Sequence, residues 1–510
     1  MSTEQQTVRQ YGNIAEEKTA GLLGYSMAST VIFGIGAVGV FISIQLSQIW
    51  VGVGIAVVAV IAALALGSKD LAGRSKPERW VAKRMFAKAE KNSQTTYKAG
   101  PASQIPDGSF RAPGLLAATK PVNFRDLYNN EGVMLWHPKL KTGTVFFIAN
   151  SSGLGLLDQD RVDRLVASWA AFQRDAGSNA EVLQVSVTTQ STTDPGERLP
   201  DAVAVARQQA GDREVPPFAR EIIDSVVEDL NRNVPKLEQW VSMTFSAKAN
   251  DRSGIPERTV EDLIADVKSL LPGFMEELEN SGAGSVSLMR ASDLTDQTYI
   301  AFNPLAAAAV ERARLTSEGT GLGWHEVGPS SHKTIGFPPR YEHSGVVSKS
   351  WQMFRPPAGT FRESALVHLL GPDSAMLQKR VTVFYRPQAP ELSAEQVQQA
   401  LTNAQFATNQ KGRKPTSAQI IALEKARKAE REQAEGAALV RFAIGITATV
   451  ESPEHLPRVG AIIKRNASQG IQLRLRECDY NDDAAFAFNL GLGLVPADVA
   501  TIPADIRKAL

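Results

Sequence analysis

Polar and apolar positions are distributed very unevenly along this 510-residue chain. From Thr19 to Ser68, a run of 50 residues, there is no Asp, Glu, Lys or Arg. A bilayer core takes about 20 apolar residues per helix at ~1.5 Å of rise each, so the run is too long for one span and suits two. The polar break Gln45-Leu46-Ser47-Gln48 divides it. The pattern predicts a transmembrane helical hairpin within 21–68, with helices near 24–44 and 49–67, preceded by a polar tail over 1–20. Residues 1–18 carry three acids and two bases, with no short apolar segment ending in a cleavage site, so a signal peptide is not expected. The small-residue pairs Gly24 with Ala28 and Gly52 with Ala56, and Gly36 beside them, predict close helix packing within the hairpin or between copies. Neither span holds an ionisable residue, which argues against an ion or proton path.

Next comes a basic collar. Lys69 to Lys91 carries eight bases against three acids, while the turn between the two apolar helices is uncharged. The positive-inside rule then places both termini in the cytoplasm, in a multi-pass protein of the plasma (inner) membrane. The segment 69–120 reads as a basic juxtamembrane helix and a linker rich in Gly, Pro, Ser and Thr. Ser75-Lys76-Pro77-Glu78 has the form of a helix start, and Trp80, Val81, Met85 and Phe86 interleave with the bases. Arg79, Lys83, Arg84 and Lys88 are the residues expected to bind an anionic bilayer surface, at about 1 kcal/mol each. Direct contact with DNA is the competing use of the same bases.

The remaining pattern alternates strand-like and helix-like segments, and predicts a mixed β-α-β cytoplasmic body with a helical hairpin inserted. Residues 144–149 and 182–188 read as strands flanking a helix capped by Asp158, whose apolar positions Val162, Leu165, Val166, Trp169 and Phe172 fall at helical spacing. Strands are also expected at 240–245, 285–289, 346–353 and 380–385, with helices near 200–209, 216–232, 257–281 and 304–315. This α+β domain spans 121–390. Two polar helices over 391–436 form a projecting hairpin. A second β-α-β plan fills 437–510, with strands at 439–450 and 471–475 around the helix start Ser452-Pro453-Glu454.

Composition adds limits. The chain is 43% AVILMFWYC with 39 Gly, and 55 Lys+Arg meet 54 Asp+Glu, which excludes disorder and a chain-wide field for wrapping nucleic acid. Cys478 stands alone, so neither an internal disulfide nor a Cys-based zinc site is available. Its neighbours Glu477 and Asp479 would raise its pKa and keep it from acting as a nucleophile. No phosphate-binding G-x-x-x-x-G-K-[ST], no H-E-x-x-H and no G-x-S-x-G occurs; the cluster Gly319, Gly321, Gly323 lacks the lysine. His325-Glu326 and His332 read as loop chemistry rather than a metal site. No catalytic residue, cofactor or metal is expected.

The ordered pattern resembles an actinobacterial membrane-protein family encoded in conjugative-element clusters. The matching elements are the charge-free helix pair, the collar, Tyr97-Lys-Ala-Gly100-Pro101, Phe110-Arg-Ala-Pro-Gly-Leu-Leu116, Trp136-His137-Pro138, Trp169, Trp240 to Ser246, Ala283-Gly284, Ala301-Phe302-Asn303-Pro304, Arg380 to Pro387 and Ala485 to Leu494. That family looks like a PrgI-like two-helix membrane subunit fused to the N-terminal, non-ATPase region of a type IV secretion traffic ATPase. The resemblance implies a non-catalytic inner-membrane scaffold component of a type IV secretion or conjugative DNA-transfer apparatus. Its partners would be the lipid bilayer, a separate traffic ATPase, other channel subunits and further copies of itself. A type VII secretion component, or a membrane-anchored sensor or enzyme, is the alternative.

Overall fold

The computed structural model describes residues 27–46, 48–67, 73–74, 76–101, 107–151, 157–194, 198–211, 215–229, 234–249, 256–316, 318–357, 359–409 and 414–496, with Gly12, Ser103, Gly153 and Gly254. Helices α1 (Met27–Gln45) and α2 (Ile49–Gly67) fold back on each other, and α3 (Lys76–Lys91) follows. Then come β1 (Thr96–Lys98), β2 (Lys120–Arg125), β3 (Glu131–His137), β4 (Thr142–Asn150), α4 (Gln159–Ser178) and β5 (Val182–Asp194). Helices α5 (Arg198–Ala210) and α6 (Pro217–Asp229) lead to β6 (Val234–Ser246), α7 (Val260–Leu278), β7 (Ser285–Leu288), α8 (Ala291–Phe302) and α9 (Ala307–Arg314). The hairpin β8 (Ser331–Gly336) and β9 (Pro339–His343) precedes β10 (Val346–Arg355), α10 (Val367–Leu370) and β11 (Gln378–Pro387). The chain continues through α11 (Pro390–Thr408), α12 (Ser417–Ala434), β12 (Val440–Val450), α13 (Leu456–Ser468), β13 (Arg474–Glu477) and α14 (Asp482–Asn489).

The two apolar helices lie close to where the charge-free run placed them, but the transmembrane hairpin over 21–68 is corrected. Among the described residues, no helix is long and apolar enough to cross a membrane. The membrane anchor of the fold and the multi-pass location with both termini cytoplasmic, which rested on that hairpin, are corrected with it. The tail over 1–20, Gly12 apart, lies outside the described residues.

The body is one 13-stranded sheet in the order β1-β8-β9-β10-β12-β11-β5-β6-β4-β3-β2, with β13 on β10 and β7 on β4. Among the described residues every ladder is antiparallel, which corrects the mixed β-α-β body. The reason is geometric. Strands β4 and β5 are joined by α4 and run the same way, yet β6 lies between them and pairs antiparallel with both. The unit β12-α13-β13 repeats the device around β10. A helical crossover supplies a parallel ladder only when its strands are neighbours, and here each pair is split by a third strand.

Alternation along the central strands gives the sheet two unlike faces. On one, Val145, Phe147, Val185, Met243 and Phe245 pack under α4 and α7 through Phe172, Leu263 and Leu271. The same face continues with Val381, Val383, Ile444 and Ile446 under α10 and α13 through Leu369, Val459 and Ile463. Each such side chain, taken from water, contributes about 1.5–3 kcal/mol. Helix α7 begins at a capping box in which Asp262 N donates to Thr259 Oγ1 at 3.2 Å and Thr259 N donates back to Asp262 Oδ2 at 3.3 Å.

The opposite face is polar through its middle. Hydroxyls pair across neighbouring strands: Ser348 with Thr449 (2.8 Å), Ser350 with Thr447 (2.9 Å), Thr382 with Thr188 (3.1 Å), Ser186 with Ser242 (2.5 Å) and Thr244 with Thr144 (3.1 Å). Helix α14 and the strap Asn489–Val495 cover this row. Thr382 Oγ1 donates to Asn489 O at 2.8 Å, and Gln184 Nε2 donates to Leu494 O at 3.3 Å. Gly491 and Gly493 have positive φ (68° and 80°) and pass directly over Thr188 and Thr144, where a Cβ would overlap each hydroxyl. Leu490, Leu492 and Leu494 meanwhile join the core formed by Phe146, Trp240, Phe302 and Phe486.

Candidate functional site

The residues predicted to make contacts sit on solvated helices. In α3, Ala82, Phe86 and Ala89 recur at intervals of four and three and form the inward side. Phe86 anchors the helix: its ring lies 5.7 Å from that of Tyr480 and fills the space that a side chain on residue 336 would need, which Gly336 leaves open. The exposed side carries Trp80 (59% exposed), Val81 and Met85, with Arg84 and Lys88 among them. The Arg84 guanidinium lies 4.8 Å over the Trp80 ring, a cation–π contact. Arg79 and Lys83 are exposed but flank this surface on the side shared with Glu90. The four predicted bases therefore divide into two pairs, and one pair shares its surface with large apolar side chains.

Of the small residues predicted to mediate helix packing, Gly36 and Gly52 do lie in the α1–α2 contact. A Cβ on Gly36 would stand 2.5 Å from Ala59 Cβ, and one on Gly52 would stand 3.2 Å from Ser43 Cβ. Ala56 is half-buried in α2. Ala28 belongs to α1, and Gly24 lies outside the described residues. Gly39 against Ile55, and Ser43, whose hydroxyl donates to Gly39 O at 2.9 Å, complete the small-residue side. The outer side presents Ile35, Val38, Phe41, Trp50 and Val58 to solvent.

Buried charge in the body makes its hydrogen bonds internally, with Arg380 Nη1 left without a partner. Lys349 Nζ donates to Pro339 O at 2.9 Å and to Asp479 and Asp482 at 3.3 Å each, tying β10 to the start of α14. Burial pushes the Asp482 carboxyl up to about 7 against the pull of the Lys349 ammonium. Arg380, fully buried, donates through Nε and Nη2 to Gln190 Oε1 at 3.1 and 2.7 Å and through Nη2 to Gln378 Oε1 at 3.1 Å; burial draws it down to about 9. Cys478 is buried, and desolvation, with Asp482 next, drives its thiol up to about 12. The sequence reading found the direction but named the adjacent Glu477 and Asp479 as its cause. His332 belongs to β8, stacked on Tyr97 and tilted against Tyr341, rather than to a loop site with His325.

Among the described residues, no group of three or more His, Cys, Asp and Glu side chains is placed to hold a metal ion. A cavity of about 540 Å³ lies beside the edge strand β2, lined by Arg125, Glu131, Gly132 and Arg290 among others. Its charges are paired locally, Arg125 with Glu131 at 2.9 Å and Arg290 with Asp293 at 3.1 Å.

Two further helical units stand exposed. Helix α6 presents Phe218 (72% exposed), Ile222, Ile223 and Val226, the first, second and fourth at four-residue spacing. Helices α11 and α12 pack chiefly on each other through buried Val397, Leu401 and Ala426 and expose Phe406, Ile420 and Ile421. The polar hairpin was legible in the sequence, although residues 410–413 of its turn lie outside the described residues. The apolar side of α6 was not singled out, yet its signal was present in the spacing of Phe218, Ile222 and Val226.

A family model described as Domain of unknown function (DUF8461) matches residues 18–78, a stretch that contains α1 and α2 and reaches the start of α3. No curated protein matches the chain.

Proposed function

We propose that the chain is a non-catalytic scaffold component of a type IV secretion or conjugative DNA-transfer apparatus, and that it docks a separate traffic ATPase. The observation that carries the reading is where contact chemistry collects. Buried Lys349 and Arg380 of the sheet make their hydrogen bonds to neighbours inside it, Arg380 Nη1 excepted, while exposed apolar side chains gather on helices outside it, α6 and the α11–α12 pair as well as α1–α2. Such surfaces mark interaction sites on protein exteriors. Helix α3 serves as a second contact surface, for an acidic partner, and the α11–α12 pair receives the ATPase.

The ladder around the helical pair makes the test clean. Pro387 of β11 pairs with Val440 of β12, and Gln388 N donates to Leu439 O at 2.9 Å. Replacing 390–437 with a short Asn-Gly turn leaves the two strands as an ordinary hairpin, so Tm moves by only a few degrees. Affinity purification of the full chain in mild detergent recovers a type IV traffic ATPase, and the shortened chain loses most of it. Equal recovery from both would move docking off α11–α12. A monodisperse full chain that recovers no ATPase and hydrolyses a substrate would sink the scaffold reading.

A further inference from the structure

Arg380 lies in the middle of the sheet, on the polar face of β11, between Gln190 of β5 and Thr447 of β12. It is 1% exposed, and Gln378, two residues earlier on the same face, is 2% exposed. The Phe486 ring of α14 covers the guanidinium with its centroid 5.8 Å from Cζ, near the outer limit of a cation–π contact. Both acceptors that Arg380 reaches, Gln190 Oε1 and Gln378 Oε1, belong to neutral amides. Because Arg380 only donates, the Gln378 amide offers it the oxygen and turns Nε2 elsewhere. Arg380 Nη1 and Gln378 Nε2 then have no hydrogen-bond partner among the described residues, so two joined side chains each carry a buried NH2 group without an acceptor. The charge is also uncovered. Buried Lys349 touches Asp479 and Asp482 at 3.3 Å each. The carboxylate whose field reaches Arg380, Glu238, stands behind Gln190, 3.5 Å from its Nε2, and is itself paired with Lys236 at 2.8 Å. Burying an ion with no counter-charge in contact is costly.

We propose that Arg380 Nη1 and Gln378 Nε2 bind a buried monatomic anion, a halide such as chloride, which neutralises the guanidinium on the polar face of β11. The donor set selects this class. A water accepts from such groups but brings two hydrogens of its own to place, whereas a halide only accepts and carries the charge that Arg380 lacks. Burial of both side chains shuts out polyatomic anions such as phosphate or a nucleotide. The ion belongs where β5, β11 and β12 meet under α14, so its binding stabilises the closed sheet by mass action. The site stands independently of the scaffold reading.

The test compares the full chain with its Gln378→Glu variant, whose carboxylate supplies beside Arg380 the charge and the acceptors that the anion brings. Thermal melts are run in mild detergent at constant total salt of about 500 mM, at which long-range charge effects are screened, with chloride progressively replacing gluconate, an anion too large for the site. As chloride rises, the Tm of the native chain climbs by about 2–5 °C relative to that of the variant, along a saturating curve, and bromide does the same. Crystals of the native full chain soaked in bromide give a second reading that needs no variant to fold: an anomalous peak in contact with Arg380 Nη1 and Gln378 Nε2. Parallel responses of the native chain and the variant to chloride overturn the proposal, because they assign the effect to salt in general. Bromide found only at the protein surface, with an ordered water on Arg380 Nη1, overturns it as well.

Discussion

His332 is held between the rings of Tyr97 and Tyr341, 5.2 Å from each, and its Nδ1 has no hydrogen-bond partner. Burial pulls its pKa down to about 4 from the usual 6.5. The unfolded chain takes up a proton on this residue below 6.5 and the folded chain only near 4, so its contribution is a loss of stability as pH falls through that window. At pH 5 the loss is about 2 kcal/mol. His332→Phe keeps the stack and removes the titration, so at pH 5 it should unfold at higher temperature than the native protein and at pH 7.5 at nearly the same one; thermal melts at the two pH values check this. His343 contributes with the same sign: it is fully buried, also drawn to about 4, and fixed by Phe302 O at 2.7 Å and Ser348 Oγ at 2.8 Å. Neither histidine's role could be read from spacing, because what sets it is a row of rings contributed by β1, β8, β9 and α14, brought together only by the sheet order.

The strap Asn489–Val495 is the element whose geometry depends most on residue type. Gly493 combines φ of 80° with direct contact against Thr144, so Gly493→Ala meets both backbone strain and overlap. The expected cost is about 2–4 kcal/mol in a chemical denaturation series, and Thr144→Ala introduced with it recovers the part due to overlap. The motif Gly491-Leu492-Gly493-Leu494 was visible in the sequence only as part of a resemblance, since nothing local says which strands lie beneath it. Strands with one clear face were easier: β5, β6, β11 and β12 carry stretches in which Val, Ile, Met or Phe alternate with Ser, Thr or Gly, and the segments expected at 182–188, 240–245, 380–385 and 439–450 overlap them, with β5 running six residues further and β6 starting six residues earlier. Strand β3 is buried on both faces and shows no alternation, and β8 and β9 are short and polar, so these elements became evident only in the sheet. The helix pairs α1–α2 and α11–α12 were legible because charge, or its absence, marks them without reference to the rest of the fold.

At the scale of the molecule, sequence boundaries and sheet boundaries part company. Strand β12 is inserted between β10 and β11, so the division near 436 crosses the middle of the sheet. A fragment of residues 121–390 would hold β10 and β11 with their shared partner missing, together with an uncovered hydroxyl row. It should give neither a cooperative melt nor dispersed amide resonances, and adding a 437–510 fragment should restore both if the ladders can re-form. Local pattern could not disclose this arrangement, because a β-α-β unit looks the same in sequence whether its strands are neighbours or are split by a third. The arrangement also sets an order of events during synthesis. The ribosome releases β10 and β11 long before β12, and the strap later still, so the nascent chain must carry an open gap in its largest sheet until residues 440–495 emerge. Long-range strand pairing of this kind is slow and leaves edges exposed to mispairing. The cell making this protein therefore has a defined interval in which a chaperone able to hold exposed strands would raise the yield of native chain.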